Sequence, residues 1–246
     1  DCIIVVNYVG KEALAAIGST GSLINAVIGF FMGLSAGGSV VISQYFGAHD
    51  IPAVRRTVHT MIAGSMIAGI FLIFFGHIAA PVILRCMHTP EDVFSMADSY
   101  LAIYFSGAFF QLLYNVASGI LRALGDSTRP LYFLIVSSVV NVALDFLFVV
   151  GFKWGISGAA YATVISQFVS MILVLFVMIR TKECYSIRLK EMHIHADSLK
   201  RVLKLGLPGG IQMAITAFSN VFVQSYINHF GSACMAVFRF ARTSGV

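Results

Sequence analysis

Uncharged runs set the rhythm of this chain. Between Glu12 and Asp50 lie 37 residues without a formal charge, between Arg56 and Arg85 there are 28, and between Asp98 and Arg122 there are 23. A membrane-crossing helix needs about 20 mostly apolar residues, so each run predicts one spanning helix. Residues Thr128 to Phe152 predict another, with Asp145 inside it, Gly155 to Ile179 a further one, and Leu205 to Phe230 the next. These six spans are preceded by an apolar stub at residues 1 to 9 and followed by an apolar segment starting near Cys234. At ~1.5 Å per residue the stub covers less than half of a ~30 Å hydrocarbon layer. It predicts that the sequence opens within a helix, and Val246 likewise interrupts an apolar segment.

Turn residues fall between the runs: Gly47 to Pro52, Thr89 to Asp92, Gly125 to Pro130, Gly151 to Gly158, and Gly231. Pro81 sits near a span interior and is expected to bend or end that helix. The predicted fold class is all-α, a polytopic membrane helix bundle. Counting the stub as the first span, the loops after the second, fourth and sixth spans hold eleven Lys and Arg, whereas the opposite loops hold Lys11, Arg85 and Lys153. This excess places the richer loops in the cytoplasm. The longest polar stretch, Thr181 to Leu199, marks the expected boundary between a first lobe at residues 1–199 and the start of a second at 200–246. A short repeat agrees: Asn7, Gly10 and Ala15 recur as Asn228, Gly231 and Ala236, in the manner of parallel transporter repeats.

Composition excludes other classes. Of 246 residues, 58% are hydrophobic and 11% charged, against about 25% charged in soluble domains. The net charge of +5 is dispersed between apolar runs and forms no continuous patch for nucleic acid. Cysteines at 2, 86, 184 and 234 lack metal-ligand or disulfide spacing. No phosphate-binding loop, nucleophile elbow or dinucleotide fingerprint occurs, so neither an enzyme nor a cofactor is expected. Energy would come from an ion gradient.

Candidate chemistry lies in polar groups set among apolar ones. Asp145 sits within Val-Ala-Leu-Asp-Phe-Leu-Phe-Val-Val, where a lipid-facing carboxylate costs roughly 2.5–3.5 kcal/mol, so it must face protein or water. Asn141 lies one turn earlier on the same face. If the following turn is centred near Trp154, Thr163 stands level with Asp145. Carboxylate, amide and hydroxyl oxygens together suit a small hard cation or a proton. Asp1 heads the stub at an expected depth of ~13 Å, close to that of Asp145. Asn25, Gln44, Gln111, Asn115, Gln167, Gln212 and Asn220 are expected mainly to tie helices together. Gly29, Gly33 and Gly37 form two overlapping GxxxG steps that a second backbone should approach closely. The 21 Phe, nine Tyr and ten Met offer adaptable contacts for apolar or cationic guests.

Several segments together resemble the multidrug and toxic compound extrusion family. They are Asp1 to Gly18, Gly33-Leu-Ser-Ala-Gly37 through Ser43-Gln-Tyr-Phe-Gly-Ala48, Gly119 to Pro130, Asn141 with Asp145, and Gly158-Ala-Ala-Tyr-Ala-Thr163-Val-Ile-Ser-Gln167. The resemblance implies a twelve-helix antiporter of two six-helix lobes in a bacterial plasma membrane. It would expel cationic or amphipathic compounds in exchange for Na+ or H+ and act as a monomer once full length. It further implies a cation site at Asp1, Asn141, Asp145 and Thr163, with Tyr100 similar to a tyrosine that approaches that site in some members. The rival readings are a lipid-linked oligosaccharide flippase of the same superfamily, which should line its cavity with cations, and a membrane protein with no transport activity.

Overall fold

Hydrocarbon supplies no partner for backbone N–H and C=O groups, so an uncharged run inserted in it must satisfy them within its own helix. The computed structural model describes residues 5, 8, 9, 11–86, 89, 91–188 and 192–228. Among these the chain forms six helices and no strand: α1 Lys11–Gly47, α2 Ile51–Cys86, α3 Glu91–Ala123, α4 Thr128–Asp145, α5 Gly155–Arg180 and α6 Ala196–Asn228. A π-helical segment, Phe146–Gly151, prolongs α4. With the stub as the first span, α1 to α6 are the second to seventh predicted spans. Five segments, Val27–Gly47, Ile51–Cys86, Val93–Ala123, Thr128–Gly151 and Gly155–Arg180, are long and apolar enough to cross a bilayer.

Polarity runs inside out, as it must in lipid. On α4 the buried residues are Pro130, Ser137 and Asp145, while Leu131, Leu134, Ile135, Val139, Val142 and Phe146 point outward. On α2 the outward residues include Ile67, Phe71, Phe74, Ile78 and Val82. With no hydrophobic force between helices in lipid, association rests on close packing and interhelical hydrogen bonds.

Helix α3 is the central staff, packed on α1, α2 and α5. Leu101, Phe105, Ala108, Leu112, Leu113, Val116, Ala117, Ile120 and Leu121 are all buried along it. Aromatic rings fit into glycine notches on neighbouring helices: Phe109 lies against Gly69, Phe105 against Gly76, and on α3 itself Gly107 receives Val164 of α5. Helix α4 packs on α5 and touches α3 only sparsely.

The GxxxG steps of α1 meet the Leu205-Gly-Leu-Pro-Gly-Gly210 stretch of α6, the most extensive helix pairing in the fold. A Cβ on Gly33 would lie 2.5 Å from the Gly210 nitrogen, and one on Gly37 would collide with the Gly206 backbone. Gly29 has only ordinary contact, 3.7 Å from Met213 Cβ.

Two expectations change. Pro81 neither ends nor interrupts α2, which continues to Cys86. Helix α6 begins at Ala196, nine residues ahead of the predicted start at Leu205, because Ala196 to Lys204 form charged helical turns rather than loop. Pro208 therefore lies within a helix too. Of the short repeat, Asn7, Gly10, Gly231 and Ala236 lie outside the described residues.

The turns close by local hydrogen bonds. Asp50 Oδ1 accepts from the Ala53 N–H at 3.1 Å and caps α2, after His49 has turned the chain with a φ of 57°. Between α3 and α4, Asp126 Oδ1 accepts from the Arg129 N–H at 3.1 Å. Arg129 Nη1 donates to the Tyr185 hydroxyl at 3.0 Å and ties the α5–α6 connector to this turn.

Candidate cation site

The inward edge of α4 is a polar ladder at four-residue spacing: Ser137, Asn141 and Asp145. Ser137 Oγ donates to the Ser166 carbonyl of α5 at 2.7 Å and fixes how the two helices face each other. Asn141 Nδ2 is buried and has no hydrogen-bond partner among the described residues. Asp145 is 0% exposed. A carboxyl group at that depth must be compensated by its surroundings, which makes this end of the ladder the candidate for binding a positive species.

Asp145 is also the last α-helical residue before the backbone widens. Across Phe146–Gly151 the hydrogen bonds follow the π pattern, and the Phe152 N–H reaches back five residues to the Leu147 carbonyl at 2.9 Å. Single π turns inside α-helices gather at functional sites. Aromatic rings close the outer end: Phe148 stacks on Trp154 with centroids 5.1 Å apart, and Tyr161 meets Trp154 edge-on at 6.1 Å.

Thr163 is half-buried on α5, and its Oγ1 donates to the Ala159 carbonyl of its own helix at 2.9 Å. Its depth differs from the symmetric-turn expectation. Ser137 faces Ser166 and Phe148 faces Gly158, so Thr163 falls opposite residues 140–143. It stands level with Asn141, not Asp145. The physical reason is the position of the hairpin's midpoint: the facing pairs centre on residues 151–153 and not on Trp154.

Tyr100 is 6% exposed and stacks on Tyr104 at 6.0 Å. It lies on α3, whose neighbour is α5 and only sparsely α4. Asp1 lies outside the described residues. The described part of the stub ends beside the same outer turn, because a Cβ on Gly155 would be 3.7 Å from Val9 Cγ1.

A second polar cluster joins α3 to α5. Gln111 Oε1 accepts from the Tyr104 hydroxyl at 2.9 Å and from Gln167 Nε2 at 3.0 Å. Gln111 and Gln167 tie helices together as their sequence context suggests. Tyr104 escaped sequence reading, although it sits one turn from Tyr100 and two turns from Gln111. Gln167 is one turn from Thr163, and its Oε1 is buried with no partner among the described residues. Nearer the ends of α1 and α3, Met32, Ser35, Ser39, Asn115, Gly119 and Arg122 line a cavity of about 380 Å3 between these two helices. Among the described residues there is no cluster of three His, Cys, Asp or Glu side chains able to hold a metal ion.

Comparison with known proteins now places the chain. The family model MatE matches residues 2–147. The probable multidrug resistance protein YoeA of Bacillus subtilis is 35% identical over 94% of this chain and 51% of its own length. YpnP of the same organism, also described as a probable multidrug resistance protein, is 32% identical over 97% and 53%. A solved inward-facing multidrug resistance MATE family transporter of the MOP superfamily superposes with a TM-score of 0.90 at 28% identity, covering 98% of this chain and 55% of that one. A MOP superfamily transporter from Pyrococcus furiosus, described as having a binding pocket of reversed polarity that suggests a different function, superposes at 0.86 with 28% identity, over 100% and 54%. The chain spans about half the length of the curated relatives it matches. With five bilayer-length apolar helices it is an integral, multi-pass membrane protein. It belongs to the MatE family.

Proposed function

We propose that this chain forms the cation-coupling lobe of an antiporter that exports cationic or amphipathic drugs across a bacterial plasma membrane in exchange for Na+ or H+. The first lobe comprises residues up to the connector, and α6 begins the second. No cofactor takes part; the only inorganic species is the coupling ion. The complete protein works as a monomer.

The observation that carries this reading is the fully buried carboxylate of Asp145, with Asn141 Nδ2, which has no partner among the described residues, one turn below it and Thr163 opposite that amide. An acid in oil changes charge when a proton or sodium ion binds, and the binding free energy then differs between two packings of the surrounding helices. That difference is what lets an ion gradient drive alternate opening of a transporter. Asp1 and Tyr100 are the further candidates for the same site, Asp1 as a second acid sharing the charge and Tyr100 as a hydroxyl nearby.

The flippase reading needs a cationic cavity for a pyrophosphate. The charge at membrane depth on α4 is acidic, which favours the export of cations.

The test is Asp145→Asn in the complete transporter, with a fluorescent organic cation as cargo in membrane vesicles. Export should fall to background while the protein still inserts at parental levels, and parental export should follow either an imposed sodium gradient or an imposed pH gradient. Unchanged export by the variant would overturn the assignment.

A further inference from the structure

At the cytoplasmic end of α2, Ile51, Arg55 and His59 recur at four-residue spacing on one face, with Arg56 beside them. The connector crosses this face and brings His193 and His195 over it. Together these residues line a cavity of about 520 Å3. Its walls are pinned. The Arg188 N–H donates to His59 Nε2 at 3.2 Å, and the His195 N–H donates to Thr60 Oγ1 at 3.1 Å. His59 Nδ1 faces the Arg55 carbonyl at 2.9 Å; a carbonyl only accepts, so Nδ1 carries the proton and Nε2 is left to receive the backbone N–H.

Among the described residues no acid lines this cavity, and neither Arg55 nor Arg56 forms an ion pair. Two guanidinium groups and two further imidazoles thus face one walled space with no acid in its lining among the described residues. Guanidinium forks match phosphate oxygens in pairs.

Depth and greasiness say which phosphate. Helix α2 has 36 residues, about 54 Å at ~1.5 Å each, against a hydrocarbon layer of ~30 Å. Its uncharged run opens only after Arg56, so the first turns are the part that stands at headgroup level, on the side whose loops are richer in Lys and Arg. Ile51, in the cavity wall, is 38% exposed, and Ile194, between the two histidines, is 43% exposed, so apolar surface flanks the cations. We infer that this cavity binds the phosphate of an anionic phospholipid headgroup from the cytoplasmic leaflet. It shares no residue with the α4 acid and lies at the opposite membrane face.

Delipidated protein in neutral detergent is titrated with dioctanoyl phosphatidylglycerol, dioctanoyl phosphatidylcholine or inorganic phosphate at fixed ionic strength, with occupancy read by native mass spectrometry. Phosphatidylglycerol should bind at least about 25-fold more tightly than phosphatidylcholine, about fivefold for each of the two arginines. Arg55→Gln with Arg56→Gln should weaken it roughly 25-fold, about fivefold per arginine. His193→Gln with His195→Gln, in the connector outside the packed helices, should weaken it several-fold and decides the matter if the arginine variant does not fold. Lys153→Gln, at the outer turn, should bind as the parent does. Parental phosphatidylglycerol affinity in the histidine variant, and in the arginine variant where that folds, would overturn the site. Inorganic phosphate binding as tightly as phosphatidylglycerol would overturn the lipid assignment and leave a site for soluble phosphate.

Discussion

One oxygen, Gln111 Oε1, receives two donors from different helical positions, the Tyr104 hydroxyl at 2.9 Å and Gln167 Nε2 at 3.0 Å. Removing that acceptor by Gln111→Leu orphans both donors between α3 and α5, at a cost of about 1–2 kcal/mol. Adding Gln167→Leu should recover part of the loss. Unfolding in mixed micelles should return a coupling of about 0.6 kcal/mol for the pair, the average for such bonds in membrane proteins. Strict additivity of the two changes would mean that the bond contributes nothing.

The glycine seam makes a paired prediction. Gly37→Ala drives a methyl group into the Gly206 backbone, which cannot rotate away, so α1 and α6 must separate at a cost of about 1–3 kcal/mol. Gly64→Ala meets nothing within 4 Å in the middle of α2 and should gain up to ~1 kcal/mol from helix propensity. Melting temperatures of the two variants in one detergent should move in opposite directions.

The connector hook is tested by Tyr185→Phe. The buried Tyr185 hydroxyl accepts from Arg129, while Arg129 keeps its 3.4 Å ion pair with Asp126. The loss should be about 0.5–1.5 kcal/mol, seen locally as faster amide hydrogen exchange over residues 181–188 with α3 unchanged. Uniform protection across the connector would refute its dependence on the hook.

Cys184, in the same connector, has a thiol pushed upward by burial and secondarily by the Glu183 charge, against pull from a backbone hydrogen bond and from Arg55. Its thiolate forms at higher pH than in a free cysteine. Alkylation by iodoacetamide should therefore be slow at pH 8 and still climbing where an ordinary thiol, with its midpoint near ~8.5, has levelled off. Arg55→Gln should slow it further. The folded state favours the protonated thiol, so this group's contribution to stability holds below about pH 8.5 and is lost as pH rises through the folded value.

The spanning helices and the inward placement of Asp145 were legible in the sequence because lipid admits few solutions: an uncharged run must be helical, and an acid in it must turn inward. The GxxxG steps of α1 likewise foretold a close backbone, though not that α6 supplies it. The π segment was not legible. Phe146 to Val150 are all apolar, and a shift from α to π hydrogen bonding leaves no mark in side-chain polarity. The depth of Thr163 was not legible because the hairpin's facing pairs centre on residues 151–153 and not on Trp154. The start of α6 was hidden by Lys200, Arg201 and Lys204, which read as loop by charge but occupy helical turns at the membrane surface.

The π segment also sets where the chain's single tryptophan comes to rest. Trp154 lies against Phe148 in the turn after the π segment, so its indole is a built-in optical reporter for a stretch of backbone whose hydrogen bonding departs from the α pattern. Emission from these 246 residues thus carries a signal from a single locus.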